Sequence, residues 1–369
     1  MRNVVMHDMR DYVKIHWKLI LVSVIAAFSC FGFFFRDSAI GLRTSALPDG
    51  ILFFTVFLLG ANLLTFGIHH FAEKKDKYPY WVFLLLYTTS NIWSYQICFT
   101  LQQVAVALAM CLSGLAAILS MKACFLEKGM KSGIELLAAM LLMVPVLCVN
   151  RVLAVYYAAI SIGYFLILLE REDLKEKRML RGSLGWLIPF AVEYLMSGVL
   201  KEIWQIETAD YMGNQLAWGR LETAECWRNI LDVAVQLMVA DTSENFSFYA
   251  AGGGLAIVAV IMLARRKRAE DGIWKGLRYG VLWIALSVML LLPVFMSICT
   301  GKMLLTKSQF ALPVVAAFLG TYGMGTMQEL WNTETDEVKR CSKERMLEVF
   351  HLCASIAIIM QMVYNLRGH

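Results

Sequence analysis

The sequence predicts an all-α, polytopic transmembrane bundle of about eleven spans, with one short helical insertion outside the membrane at about 201–244. Composition is the first ground. The 369 residues are 59% hydrophobic with only 17% charged, and mean hydropathy is +0.60. A water-soluble chain of this length has no means of hiding so much apolar surface. Charge-free runs are the second ground, because a bilayer core takes roughly 20 apolar residues per helix. The third is the absence of period-two alternation, which removes a barrel, since such long runs exceed barrel strands.

Taken in order, Leu19–Phe35, Ile51–Ile68, Val152–Leu169, Asn245–Ala264, Tyr279–Thr300, Ser308–Met327 and Val349–Leu366 each read as a span. Tyr78–Met121 carries no charged residue and suits two spans joined by a polar turn. Leu136–Val149, with Pro145, and Gly182–Leu200, with Glu193, are weaker candidates. The first span lacks a small-residue cleavage motif, so it is expected to stay as an anchor. Residues 1–369 are read as a single transmembrane domain without internal repeat. The nine cysteines show no metal-ligand spacing, and no metal site is expected.

Placing the N-terminus in the cytoplasm puts 25 of the 34 basic residues in inner loops and 9 outside. That asymmetry predicts eleven spans with the N-terminus inside and the C-terminus outside. The net charge of +5 therefore reflects orientation and headgroup contact, and no nucleic-acid partner is expected. Lys201–Glu244 is the one sizeable aqueous segment. Trp204, Trp218, Trp227, Leu231, Val235 and Met238 recur among acids at helical spacing, which fits helices on the membrane surface or over an outer cavity. A solvated connector is the plainer alternative.

Polar groups at the membrane edge carry the chemical information, because hydrocarbon penalises them. The first outer loop holds Arg36, Asp37, Arg43 and Asp49. Asp37 can act as a general base on an acceptor hydroxyl, with the arginines gripping a phosphate. Equally, Asp37 can simply pair with Arg36 or Arg43. The turn of the double span gathers Asn91, Ser94, Tyr95, Gln96, Thr100, Gln102 and Gln103, suited either to hydrogen-bonding a sugar or to interhelical packing. Lys302, Lys307 and Gln309 precede the span with Pro313, and the two cations stand outside against the general trend. They suit a lipid phosphate, or serve as snorkelling anchors. Glu193 sits mid-span, so it is paired, protonated or lining a cavity. His69 and His70 end the second span and read as interfacial.

Three stretches resemble the bacterial glucosyltransferase-II-like family. They are NIWSYQICFTLQQVAVALAMCLSGLAAILS (Asn91–Ser120), KMLLTKSQFALPVVAAF (Lys302–Phe318) and IIMQMVYN (Ile358–Asn365). The resemblance implies a GT-C-like multi-pass glycosyltransferase that moves a hexose, commonly glucose, from a polyprenyl-phosphate donor to a surface polysaccharide outside the membrane, as in O-antigen modification. It implies that Asp37 is the acidic residue of the first outer loop, and that Lys302 and Lys307 face the donor phosphate. Arg36, Arg43, Tyr95, Gln96, Glu193 and Gln309 are the further candidates for substrate contact. Asp37 stands without an adjacent acid, unlike the family's pattern. No Gly-rich nucleotide loop occurs, so no cofactor is expected beyond the lipid-linked sugar as substrate. The competing classes are a transporter or flippase of lipid-linked saccharides, a surface-polysaccharide polymerase, and a structural role. The first predicts polar residues through the full membrane depth, and the second a larger, arginine-rich outer loop.

Overall fold

The computed structural model describes residues 2–39, 47–93, 103–150, 152–171, 217–239, 248–267, 273–303, 309–332 and 337–367, with single positions between 182 and 196. Among the described residues the regular elements are helices, joined by short loops, with an isolated bridge between Trp218 and Leu221. In chain order these are α1 (Arg2–Ala39), α2 (Leu47–Phe71), α3 (Tyr80–Thr88), α4 (Gln103–Phe125), α5 (Met130–Val149), α6 (Leu153–Leu169), α7 (Thr223–Val239), α8 (Phe248–Lys267), α9 (Ile273–Thr300), α10 (Ala311–Asn332) and α11 (Glu337–Arg367). Six are long and apolar enough to cross a membrane: α1, α2, α4, α5, α9 and α11. The apolar helices α6 and α8 are shorter. The expected fold class, a polytopic helical membrane protein, holds.

Every residue of α6 is buried. A helix that is apolar on all sides belongs at the centre of a bundle, because no face of it prefers solvent. Around it stand α2, α4, α9 and α10. Small residues set the close approaches. A Cβ at Gly323 of α10 would lie 2.9 Å from the backbone nitrogen of Ala256 in α8, and one at Gly252 of α8 would lie 3.0 Å from that of Gly320. Helices in lipid gain by this kind of contact, since apolar burial alone does not favour helix over lipid. At the rim, α11 carries exposed Val349, Leu352, Ile356, Ile359 and Val363, a lipid-facing stripe.

Two segments differ from expectation. The weak candidate Leu136–Val149 is a full helix from Met130, because Glu135 near its start pairs with Lys122 of α4 at 2.5 Å and loses its cost. The first arm of Tyr78–Met121 is interrupted. Its helix α3 has nine residues, about 14 Å of rise, and stops at Thr89. Helix resumes at 91–93, where the described residues of this segment end. The expected Gly182–Leu200 span, with Glu193, falls mostly outside the described residues.

Candidate functional site

The broken end of α3 leaves backbone carbonyls without helical partners, which apolar surroundings do not tolerate. Side chains from distant helices take them. Asn365 near the end of α11 donates from Nδ2 to the Thr89 carbonyl at 2.9 Å and to Cys30 Sγ of α1 at 3.0 Å. Cys30 in turn donates to the Thr88 carbonyl at 3.4 Å. Gln361, one turn earlier on α11 and buried, donates to Asn365 Oδ1 at 2.9 Å and fixes which way the amide faces. Cys30 reads in the sequence as a small apolar filler, yet it is a working hydrogen-bond partner here.

An aromatic wall joins the same end of the bundle. Phe31 of α1 meets Phe53 and Phe57 of α2 edge-on, with ring centroids 5.6 and 5.4 Å apart. Phe57 stacks on Tyr87 of α3 at 5.5 Å and leans on Trp93 at 5.4 Å. Trp93 donates its indole N–H to the Tyr87 carbonyl and reaches Phe310, just before α10, at 6.5 Å. Four separate stretches of chain thus converge: α1 at Phe31, the first half of α2, the break after α3 and Phe310 just before α10.

The turn that ends α9 is built to a defined shape. Gly301 has φ +69°, and a Cβ there would lie 2.9 Å from Cys226 Sγ, so only glycine fits. The segment around α7 holds this turn from above. Ala217 N–H donates to the Thr300 carbonyl at 2.7 Å, Trp218 Nε1 to that of Ile298 at 2.8 Å, and Asn229 Nδ2 to that of Gly301 at 3.1 Å. Lys302 follows directly, half-buried, with its backbone N–H directed at Thr300 Oγ1. Gln309 is buried at the start of α10, and its Oε1 has no hydrogen-bond partner among the described residues. A buried, unmet acceptor costs on the order of 1–3 kcal/mol unless something binds to it.

Of the residues singled out from sequence, Lys302 and Gln309 are therefore seen in full. Arg36 and Asp37 stand on the last turns of α1, where the backbone alone is described. Position 37 lies seven residues beyond Cys30, two turns on the same helix face. Arg43, Tyr95, Gln96, Glu193 and Lys307 lie outside the described residues. Among the described residues, no group of three or more His, Cys, Asp or Glu side chains is arranged to hold a metal.

A polar network at the opposite end of the same helices is absent from the sequence-based candidates. Glu170, at the end of α6, accepts from Lys77 Nζ, from Tyr78 Oη at 2.5 Å and from Thr326 Oγ1 of α10 at 2.9 Å. Lys77 also pairs with Glu329 of α10 at 2.5 Å, and Lys74 joins Glu329 at 2.7 Å. Glu170 and Lys77 are only 8% and 9% exposed. Burial opposes charge on both Lys77 and Glu329. The Glu170 charge nevertheless holds Lys77 above the ordinary lysine range, and hydrogen bonds from Lys74 and Lys77 pull Glu329 down to about 2. The available signal is that Lys77 is the last charge before an uncharged run, and that Glu170 and Glu329 are each the first charge after one. Nearby, His70 Nδ1 meets Asp8 of α1 at 3.2 Å, a partner that linear spacing did not reveal.

Residues 30–323 match the model of the family described as glucosyl transferase GtrII. The chain belongs to that family. The match begins at Cys30, which touches the α3 break, and takes in Asp37, Lys302 and Gln309, while Gln361 and Asn365 lie beyond it. No curated protein and no solved structure matches the chain. Membership in the GtrII family makes this a chain of glucosyltransferase type on a membrane-spanning helical scaffold.

Proposed function

We propose that the protein transfers glucose from a polyprenyl-phosphate donor to a surface polysaccharide at the outer face of the bacterial plasma membrane. The observation that carries the reading is the convergence at one end of the bundle. Phe31 of α1, Phe57 of α2, the interrupted α3 and Phe310 just before α10 are joined through the rings of Phe57 and Trp93. Lys302 stands two residues past Thr300, the last residue of a membrane-length helix. That is the depth of lipid headgroups, and so of a lipid-linked phosphate.

In this reading the donor's tail lies in the outer leaflet and its phosphate faces Lys302, with Lys307 and Arg43 assisting. Asp37 takes the proton of the acceptor hydroxyl. The hydroxyl oxygen forms a bond to the anomeric carbon as the carbon–oxygen bond to phosphate breaks. The electron pair leaves on the phosphate, whose negative charge the ammonium stabilises, through an oxocarbenium-like transition state. Arg36, Tyr95, Gln96 and Glu193 remain candidates for holding sugar, and the unmet Oε1 of Gln309 suits a sugar hydroxyl or a buried donor of the substrate.

The transporter reading fits less well. It asks for a path opening to both sides, whereas the far ends of α6 and α10 are tied by the buried Lys77–Glu170–Glu329 network. The test is glucose transfer in membranes supplied with polyprenyl-phosphate glucose, comparing wild type with Asp37→Asn. The expectation is a loss of at least about a hundredfold in rate, the usual scale for a general base. Full activity in Asp37→Asn refutes the assignment, and lipid-linked sugar moved across the bilayer but left chemically unchanged favours the transporter.

A further inference from the structure

The faces of α7 are unlike those of any helix inside the bundle. Cys226, Ile230, Val233 and Leu237 form one buried stripe against the protein. Roughly 120° around the helix, Trp227, Leu231 and Val235 form a second apolar stripe. These three are 52%, 61% and 57% exposed. The remaining third carries Glu225, Arg228, Asp232 and Gln236, all exposed. A helix in water has no use for a second apolar face, and a helix within the bilayer has none for a charged third. Three faces of this kind suit a helix that touches protein, lipid and water at once.

Depth is set independently. Hydrogen bonds from Asn229, Trp218 and Ala217 attach α7 and its lead-in to Ile298, Thr300 and Gly301, the C-terminal limit of the membrane-length helix Leu277–Thr300. The same span carries exposed apolar residues of its own, Ile284 and Leu291. Trp218 and Trp227 meet edge-on with centroids 5.8 Å apart, and tryptophan favours the headgroup level.

We infer that α7 is a membrane-docked interfacial helix, its Trp227–Leu231–Val235 stripe seated in the headgroup–acyl boundary of the leaflet at the α9 C-terminal end. Docked there, it holds the Gly301–Lys302 turn at headgroup depth. The charged third mixes both signs, so attraction comes from apolar area and does not require anionic lipid. The inference concerns lipid contact alone and stands whether or not Asp37 is the catalytic base.

The test uses the full chain in phospholipid nanodiscs, with a benzophenone amino acid placed at Leu231 or Val235, and at Arg228 or Asp232 for comparison. Irradiation and mass spectrometry then read phospholipid adducts. The expected result is several-fold more adduct at 231 and 235 than at 228 and 232, in phosphatidylcholine alone as in mixtures with phosphatidylglycerol. Equal yields on both faces, cross-links from 231 and 235 into this chain or a second copy, or adducts confined to anionic lipid each overturn it. A second variant pair keeps the question open to folding defects. Leu231→Ser should preserve the fold while weakening lipid adducts from Val235, and unchanged adducts there count against the docked face.

Discussion

Replacing Lys77 by methionine tests the buried network at a magnitude that the geometry supplies. The change leaves Glu170, 8% exposed, facing the hydroxyls of Tyr78, Thr326 and Tyr322 among the described residues. A buried charge stripped of its partner costs about 3–5 kcal/mol. Thermal unfolding in nanodiscs, followed by tryptophan fluorescence, should show a Tm lowered by on the order of 5 °C. Adding Glu170→Gln should recover most of the loss, because the uncompensated charge is gone. An unchanged Tm in Lys77→Met, or a double variant as weak as the single one, refutes a coupled buried pair.

Glu329 carries an acid dependence. Its carboxyl is held at about 2 against an ordinary 4.5, so its contribution is present above pH 4.5 and fades as pH falls toward 2. Glu329→Gln should flatten that part of the unfolding profile, by a modest amount because the group is partly exposed and screened. Gln309→Leu removes a buried acceptor without a partner and should raise the unliganded protein's stability by about 1 kcal/mol while weakening donor binding. Isothermal denaturation with and without donor lipid separates the two effects. Asn365→Ala leaves the Thr89 carbonyl unmet in an apolar setting, costing roughly 1–3 kcal/mol, which a lowered Tm in nanodiscs should show.

Much of the scaffold is legible without coordinates because the bilayer is an exacting solvent. Charge-free runs such as Ile51–Ile68 and Tyr279–Thr300 have no alternative to a helix there, and α2 and α9 extend over both. Segment ends are less legible. Leu136–Val149 looks too short only because Glu135 bounds it, and the Lys122 partner that absorbs Glu135 comes from another helix. The interruption of α3 is hidden for a related reason. An uncharged run reads the same whether its helix continues or stops. Stopping is allowed here because Asn365, 276 residues away, meets the orphaned carbonyl.

The amino-acid order alone determined solvent, class and the chemistry available: apolar runs for lipid, Asp37 and Lys302 at span ends, and motifs resembling a glucosyltransferase family. Tertiary structure decided which of those groups meet. Phe31, Phe57, Trp93 and Phe310 belong to four stretches of chain, and no local pattern ties them. Likewise, the charges of Lys77, Glu170 and Glu329 each read as an ordinary span boundary until the helices are packed. Periodicity reports which face of a helix avoids water. It does not report which neighbour covers that face, because lipid and protein interior are almost equally apolar.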